Sequence, residues 1–147
     1  MKSMLITFIV CLPSIVFAGD CEVLKEAMAA ASSGFASIRG AESDRIDDTT
    51  YFDSSLQMDM LPRCQIMFSE GKYTWTCNNG VGRNKRVVDY GEVGRLATSC
   101  GFRIRDTQSS SSGTSYEIVT DQRTLVRLRT SFSNRLNRAV IFVSQMR

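Results

Sequence analysis

Residues 64–77 read Cys64-Gln65-Ile66-Met67-Phe68-Ser69-Glu70-Gly71-Lys72-Tyr73-Thr74-Trp75-Thr76-Cys77, and this stretch decides the fold. Taking Glu70-Gly71 as a two-residue turn pairs Ser69 with Lys72, Phe68 with Tyr73, Ile66 with Trp75 and Cys64 with Cys77. Counting outward from the turn places the two cysteines at a non-hydrogen-bonded pair, where Cα atoms lie about 4.5 Å apart. That separation is within disulfide reach. Cys64, Ile66, Phe68, Tyr73, Trp75 and Cys77 then share an apolar face, while Gln65, Thr74 and Thr76 look the other way.

The remaining cysteines extend the pattern. Lys2, the apolar run Leu5 to Leu12 and the small-residue site Val16-Phe17-Ala18 have the form of an export signal, so residues 1–18 are expected to be removed and residues 19–147 to form one domain. The run is interrupted by Pro13 and Ser14 and is too short for a membrane span, which leaves no transmembrane segment in the mature chain. Cys11 leaves with the signal, and the four cysteines that stay are the signature of a disulfide framework in a periplasmic or secreted protein. Four cysteines allow three connectivities, and the hairpin register selects Cys64–Cys77, with Cys21–Cys100 by elimination.

Upstream of the hairpin, Leu24, Ala27, Met28, Ala31, Phe35 and Ile38 recur at helical spacing behind Asp20, a candidate cap, and the spacing stops at Gly40. Residues 41–50 have no periodicity and four acids, and read as a loop. Leu56, Met58 and Met60 alternate before Pro62, as a short strand would. Downstream, residues 86–100 fit a second helix, weakened by Gly91 and Gly94 and ended by Gly101. Alternation at Phe102 and Ile104, Tyr116 and Ile118, Val126, Leu128 and Phe132, and Val140 and Phe142 then predicts four more strands. A hairpin at Asp121-Gln122 puts Val126 opposite Glu117, so a bulge or longer loop is expected there.

The expected fold class is therefore α+β, with two helices packed on one face of a mainly antiparallel sheet in the order α-βββ-α-ββββ and two disulfides. The opening of that order resembles, in topology alone, the small α-βββ-α-ββ domains of type III secretion chaperones; no motif accompanies the likeness, and it implies no function. No internal repeat is visible.

The chain contains no histidine, which removes histidine-activated nucleophiles, histidine general acids and histidine-ligated zinc. No Cys-x-x-Cys pair suggests redox catalysis, and no glycine-rich loop suggests a phosphate cradle. Carboxylate-only chemistry would have to come from Asp44, Asp47, Asp48, Asp53 and Asp59, most of them in the polar loop. Met58 and Met60 could in principle hold a soft metal, but paired inward methionines are more often core, so neither metal nor cofactor is expected.

Charge is divided along the chain. Residues 20–59 carry nine acids and three bases, and residues 60–147 six acids and fourteen bases. The commonest explanation is an acidic segment that folds over the basic sheet or is simply solvated. Arg103 and Arg105, and likewise Arg127 and Arg129, alternate opposite the apolar positions, so they would form a basic outer sheet face suited to an acidic protein or an anionic envelope lipid. Interleaved aromatics are missing from that face, which argues against nucleic acid. The reading that follows is a small exported, disulfide-stabilised binding protein, an inhibitor, immunity or envelope accessory protein, without enzymatic activity. Alternatives are a carboxylate-dependent envelope hydrolase and a carrier of a lipid or hydrophobic ligand.

Overall fold

The computed structural model describes residues 18–80, 88, 90–111, 113–119, 124–133 and 136–145. The expected leader falls almost entirely outside them, as do the start expected for the second helix and the turn at 120–123. The elements are α1 (Ala18–Ala31), β1 (Arg39–Ile46), β2 (Thr49–Ser54), β3 (Arg63–Ser69), β4 (Lys72–Asn78), α2 (Tyr90–Ser99), β5 (Ile104–Ser110), β6 (Gly113–Val119), β7 (Thr124–Ser133) and β8 (Leu136–Gln145). All eight strands join one antiparallel sheet in the order β1-β2-β3-β4-β8-β7-β6-β5.

The cysteine hairpin has the expected register throughout, from Arg63 opposite Asn78 to Ser69 opposite Lys72. Cys64–Cys77 and Cys21–Cys100 are both bridged, with Cα separations of 4.0 and 5.3 Å. Glu70 and Gly71 take positive φ, as a tight hairpin turn of this type requires.

The expected order α-βββ-α-ββββ is corrected to α-ββββ-α-ββββ. Residues 41–50 belong to the β1–β2 hairpin; β1 shows no apolar alternation because it is an edge strand, exposed along almost its whole length. Leu56 to Met60 is not a strand. Its alternating apolar residues sit in an irregular loop held from three sides: Ser54 Oγ accepts from Leu56 N–H at 3.1 Å, Gln57 Oε1 accepts from Cys64 N–H at 3.2 Å, and Asp20 accepts from two further amides. With four strands in each half, the likeness to the chaperone topology is lost.

Asp20 lies inside the first turn of α1 rather than capping it. It is only 4% exposed, and its carboxylate accepts from Asp59 N–H at 2.6 Å and Met60 N–H at 3.0 Å, clamping the 55–62 loop to the helix. Because two charge-assisted hydrogen bonds are lost and two amides left without them, Asp20→Ala is expected to cost about 3 kcal/mol. Urea unfolding checks this, and Asp20→Asn, which keeps one acceptor, should recover part of the loss.

Both helices end in the same way. In α1, Phe35 N–H reaches Ala30 O at 2.9 Å and Gly34 N–H reaches Ala31 O at 3.1 Å; in α2, Phe102 N–H reaches Ala97 O at 2.9 Å and Gly101 N–H reaches Thr98 O at 3.1 Å. This paired bonding, with Gly34 at φ 62° and Gly101 at φ 79°, stops each helix and turns the chain toward a strand. Each half is thus an α-ββββ unit with a Gly-Phe helix stop, and the sheet order is mirrored about the β4/β8 pair.

The core follows from the register. Phe52, Ile66, Trp75, Val143, Val126, Ile118 and Ile104 stand directly opposite one another, strand by strand, in a row that crosses seven strands on one face. The five residues between its ends are buried, and α1 contributes Leu24, Ala27 and Ala31 while α2 contributes Val93, Leu96 and Ala97. Helix α1 lies against β4, β7 and β8, and α2 against β6 and β7. In β8 the parity differs from expectation: Ala139, Ile141 and Val143 are buried, and Val140 and Phe142 stand on the second face, half-buried. Five consecutive apolar residues in this central strand conceal which set faces the core.

Candidate functional site

On the second face the same pairing brings together residues far apart in sequence. One row runs Arg63, Asn78, Val140, Arg129, Ser115, Gln108 across six strands, and the next runs Asp53, Gln65, Thr76, Phe142, Arg127, Glu117, Asp106. A third carries Tyr51, Met67, Thr74, Ser144 and Leu125. Thr76 is buried; the other side chains of these rows are half-buried or exposed.

Arg127 and Arg129 project from this face, as their alternation with Val126 requires, and both are exposed. Glu117 stands directly opposite Arg127 and accepts from its Nη2 at 3.2 Å, while Arg105 Nη1 approaches the other carboxylate oxygen at 3.8 Å. A carboxylate therefore sits between two of the four candidate arginines. Being half-exposed, these pairs contribute little to stability, but they orient both guanidiniums. Arg103 precedes β5, and an irregularity between Ile104 and Asp106 puts Asp106, not Arg105, opposite Glu117. The structure thus brings Arg105, Arg127 and Arg129 together and leaves Arg103 at the border.

Two further arginines join them. Arg63 continues the row of Arg129, and Arg138 in β8 stands opposite Ser131, diagonal to Arg129. Both are exposed. Arg63 was legible in the hairpin, since Cys64 inward puts Arg63 outward; Arg138 was not, because the parity of β8 was hidden. Among the described residues, Arg63, Arg129 and Arg138 have no carboxylate within ion-pair distance.

A groove of about 420 Å³ opens beside them. Arg127, Arg129, Ser115 and Gln108 form its sheet side, and Ser109, Ser110, Gly113 and Thr114 of the β5–β6 hairpin close its end. No acid lines it. Two guanidiniums among hydroxyls and an amide suit a carboxylate or another oxyanion, which they can hold by paired N–H donors.

The acidic residues lie elsewhere. Asp44, Asp47 and Asp48 are on the exposed β1–β2 hairpin, Asp53 is exposed on β2, and Asp59, also exposed, gives its backbone N–H to the Asp20 clamp. Glu42 receives two hydrogen bonds from Arg45, both 3.2 Å, and this holds the Arg45 guanidinium above its ordinary range, first through the hydrogen bond and then through the opposite charge. Met58 and Met60 are buried in the core. Among the described residues no group of three His, Cys, Asp or Glu could hold a metal ion, and no helix is long and apolar enough to cross a membrane.

Comparison with protein-family models, with curated proteins and with solved structures finds no match to this chain. The two disulfides fit an oxidising compartment.

Proposed function

We propose that the chain is a small exported binding protein, periplasmic or secreted, that acts as an inhibitor, immunity or envelope accessory protein by contact with an acidic protein. In this reading both helices cover the face of Trp75, and the second face is the recognition surface. Its apolar side chains, Tyr51, Met67, Leu125, Val140 and Phe142, supply area, and the arginines supply charge selection. One observation carries the reading: among the described residues, Arg127 and Arg129 line a groove that holds no acid, and Arg129 has no carboxylate partner. The disulfides support the compartment, and the absence of histidine supports binding over turnover. The hydrolase alternative needs two carboxylates facing each other across a substrate site, whereas Asp44, Asp47 and Asp48 follow one another along an exposed hairpin.

The test is capture of proteins from an extract of the source cell envelope by immobilised mature chain. Arg127→Glu with Arg129→Glu should weaken retention of a specifically captured protein by about tenfold or more, which corresponds to about 1.4 kcal/mol. Arg95→Glu, an exposed change on α2, serves as control and should have no effect. Equal capture by all three proteins would remove the arginine end as the site.

A further inference from the structure

Two opposite corners of the sheet differ in charge, the β1–β2 turn and the β5–β6 turn with the arginines beside it, and topology fixes where they lie. Each half runs its four strands as an antiparallel meander, and the halves meet antiparallel at β4 and β8. If β4 runs upward, the β1–β2 turn falls at the lower end of one edge and the β5–β6 turn at the upper end of the other. Seven inter-strand spacings of about 4.8 Å separate those edges, roughly 34 Å in all. Measured along the sheet, the acidic hairpin thus lies at the corner opposite the arginines of its own chain.

The lower tip is Ile46-Asp47-Asp48. Ile46 is 53% exposed, the sole large hydrophobic residue so exposed among the described ones, and two carboxylates follow it directly. Asp44 lies two residues earlier, while the nearest base, Arg45, is held by Glu42. The tip is thus an apolar anchor flanked by acids. At the upper end, the groove offers Arg127 and Arg129, with Val140 directly opposite Arg129 and Arg138 diagonal to it.

We infer that the acidic partner of this groove includes a second copy of the chain, the β1–β2 tip of one molecule docking on the arginine end of the next. This rests on the reading of the arginine end as a binding surface for an acidic protein, and makes its occupant specific. Asp47 and Asp48 meet the guanidiniums, and Ile46 covers Val140. Tip and groove are different surfaces at opposite ends of the strands, so the contact is head-to-tail and extends into open chains unless its rotation closes a ring. A second copy and a separate partner compete for the same arginines.

Sedimentation velocity on the mature chain, from about 10 µM to about 500 µM, tests this at ionic strengths of about 0.02 M and about 0.5 M, where screening differs strongly. The average mass should rise with concentration at low salt and return to that of the monomer at high salt. Two charge-swapped chains sharpen the result: Asp47→Arg with Asp48→Arg at the tip, and Arg129→Glu with Arg138→Glu at the groove. Each alone should remain monomeric, and their mixture should associate again, because each tip then meets a groove of opposite charge. Circular dichroism confirms that both fold. A monomeric wild type at low salt, or association unchanged by either swap, overturns the proposal. If the wild type is monomeric but arginine reversal still abolishes partner capture, only the second copy is removed; capture insensitive to arginine reversal removes the underlying reading.

Discussion

Replacing Cys21 and Cys100 together by alanine is expected to lower the unfolding free energy by up to about 4.5 kcal/mol, against about 3 kcal/mol for Cys64 and Cys77. The difference comes from loop length: the first bridge closes a separation of 79 residues and the second one of 13, so the first removes more freedom from the unfolded chain. Both figures are ceilings, since unfolded chains retain structure. The long bridge also joins the start of α1 to the residue after α2, next to the Asp20 clamp. Its loss should therefore loosen the helices before the cysteine hairpin. Urea unfolding of the oxidised protein and the two double variants decides the ranking, and an equal or reversed order would contradict it.

Trp75→Ala is expected to cost about 4 kcal/mol. Trp75 is fully buried near the middle of the seven-strand row, between Ile66 and Val143, so truncation leaves a cavity where the two halves of the sheet meet. Its Nε1–H donates to Ser54 Oγ at 3.0 Å. Trp75→Phe should cost only about 1–2 kcal/mol. The ring largely fills the space, and Ser54 Oγ keeps Leu56 as both donor and acceptor, at 3.1 and 3.0 Å. Far-UV circular dichroism during denaturation gives both values without relying on the lost indole. Similar costs for the two variants would show that the hydrogen bond, rather than the volume, matters most.

The parts of this fold that could be read in advance are those where local pattern and covalent constraint agree. The Glu70-Gly71 turn set the pairing of Cys64 with Cys77, and the second bridge followed by elimination. Where a strand is wet on both faces, as at Glu42 to Ile46, or apolar on both, as at Ala139 to Val143, alternation disappears and with it either the strand or its parity. Leu56, Met58 and Met60 show the converse, an alternating pattern in a loop, because the amides there are met by Asp20 and Ser54 side chains rather than by a neighbouring strand. The doubled α-ββββ architecture left only Gly34-Phe35 and Gly101-Phe102 as a shared trace, too short to stand out as a repeat.

The arginine end was partly legible for the same reasons. Arg127 and Arg129 follow from the apolar alternation of β7, whereas Arg138 depends on the parity of β8 and its proximity to Arg129 on strand order. Glu117 became relevant only through pairing, since nothing local places it between Arg105 and Arg127. Long-range strand order is the information that single-sequence periodicity lacks.

The most direct measurement of the central claim is an NMR titration of the mature protein with poly-L-glutamate, a probe with the charge of an acidic protein surface, following the arginine Nε–H signals. Arg63, Arg127, Arg129 and Arg138 should shift together and saturably, with the shifts fading as salt is raised. Arg39, stacked 4.3 Å from the Tyr73 ring centre on the other face, and Arg95 on α2 should stay in place. Shifts confined to Arg39 and Arg95, with Arg129 unmoved, would contradict the assignment of the second face as the binding surface.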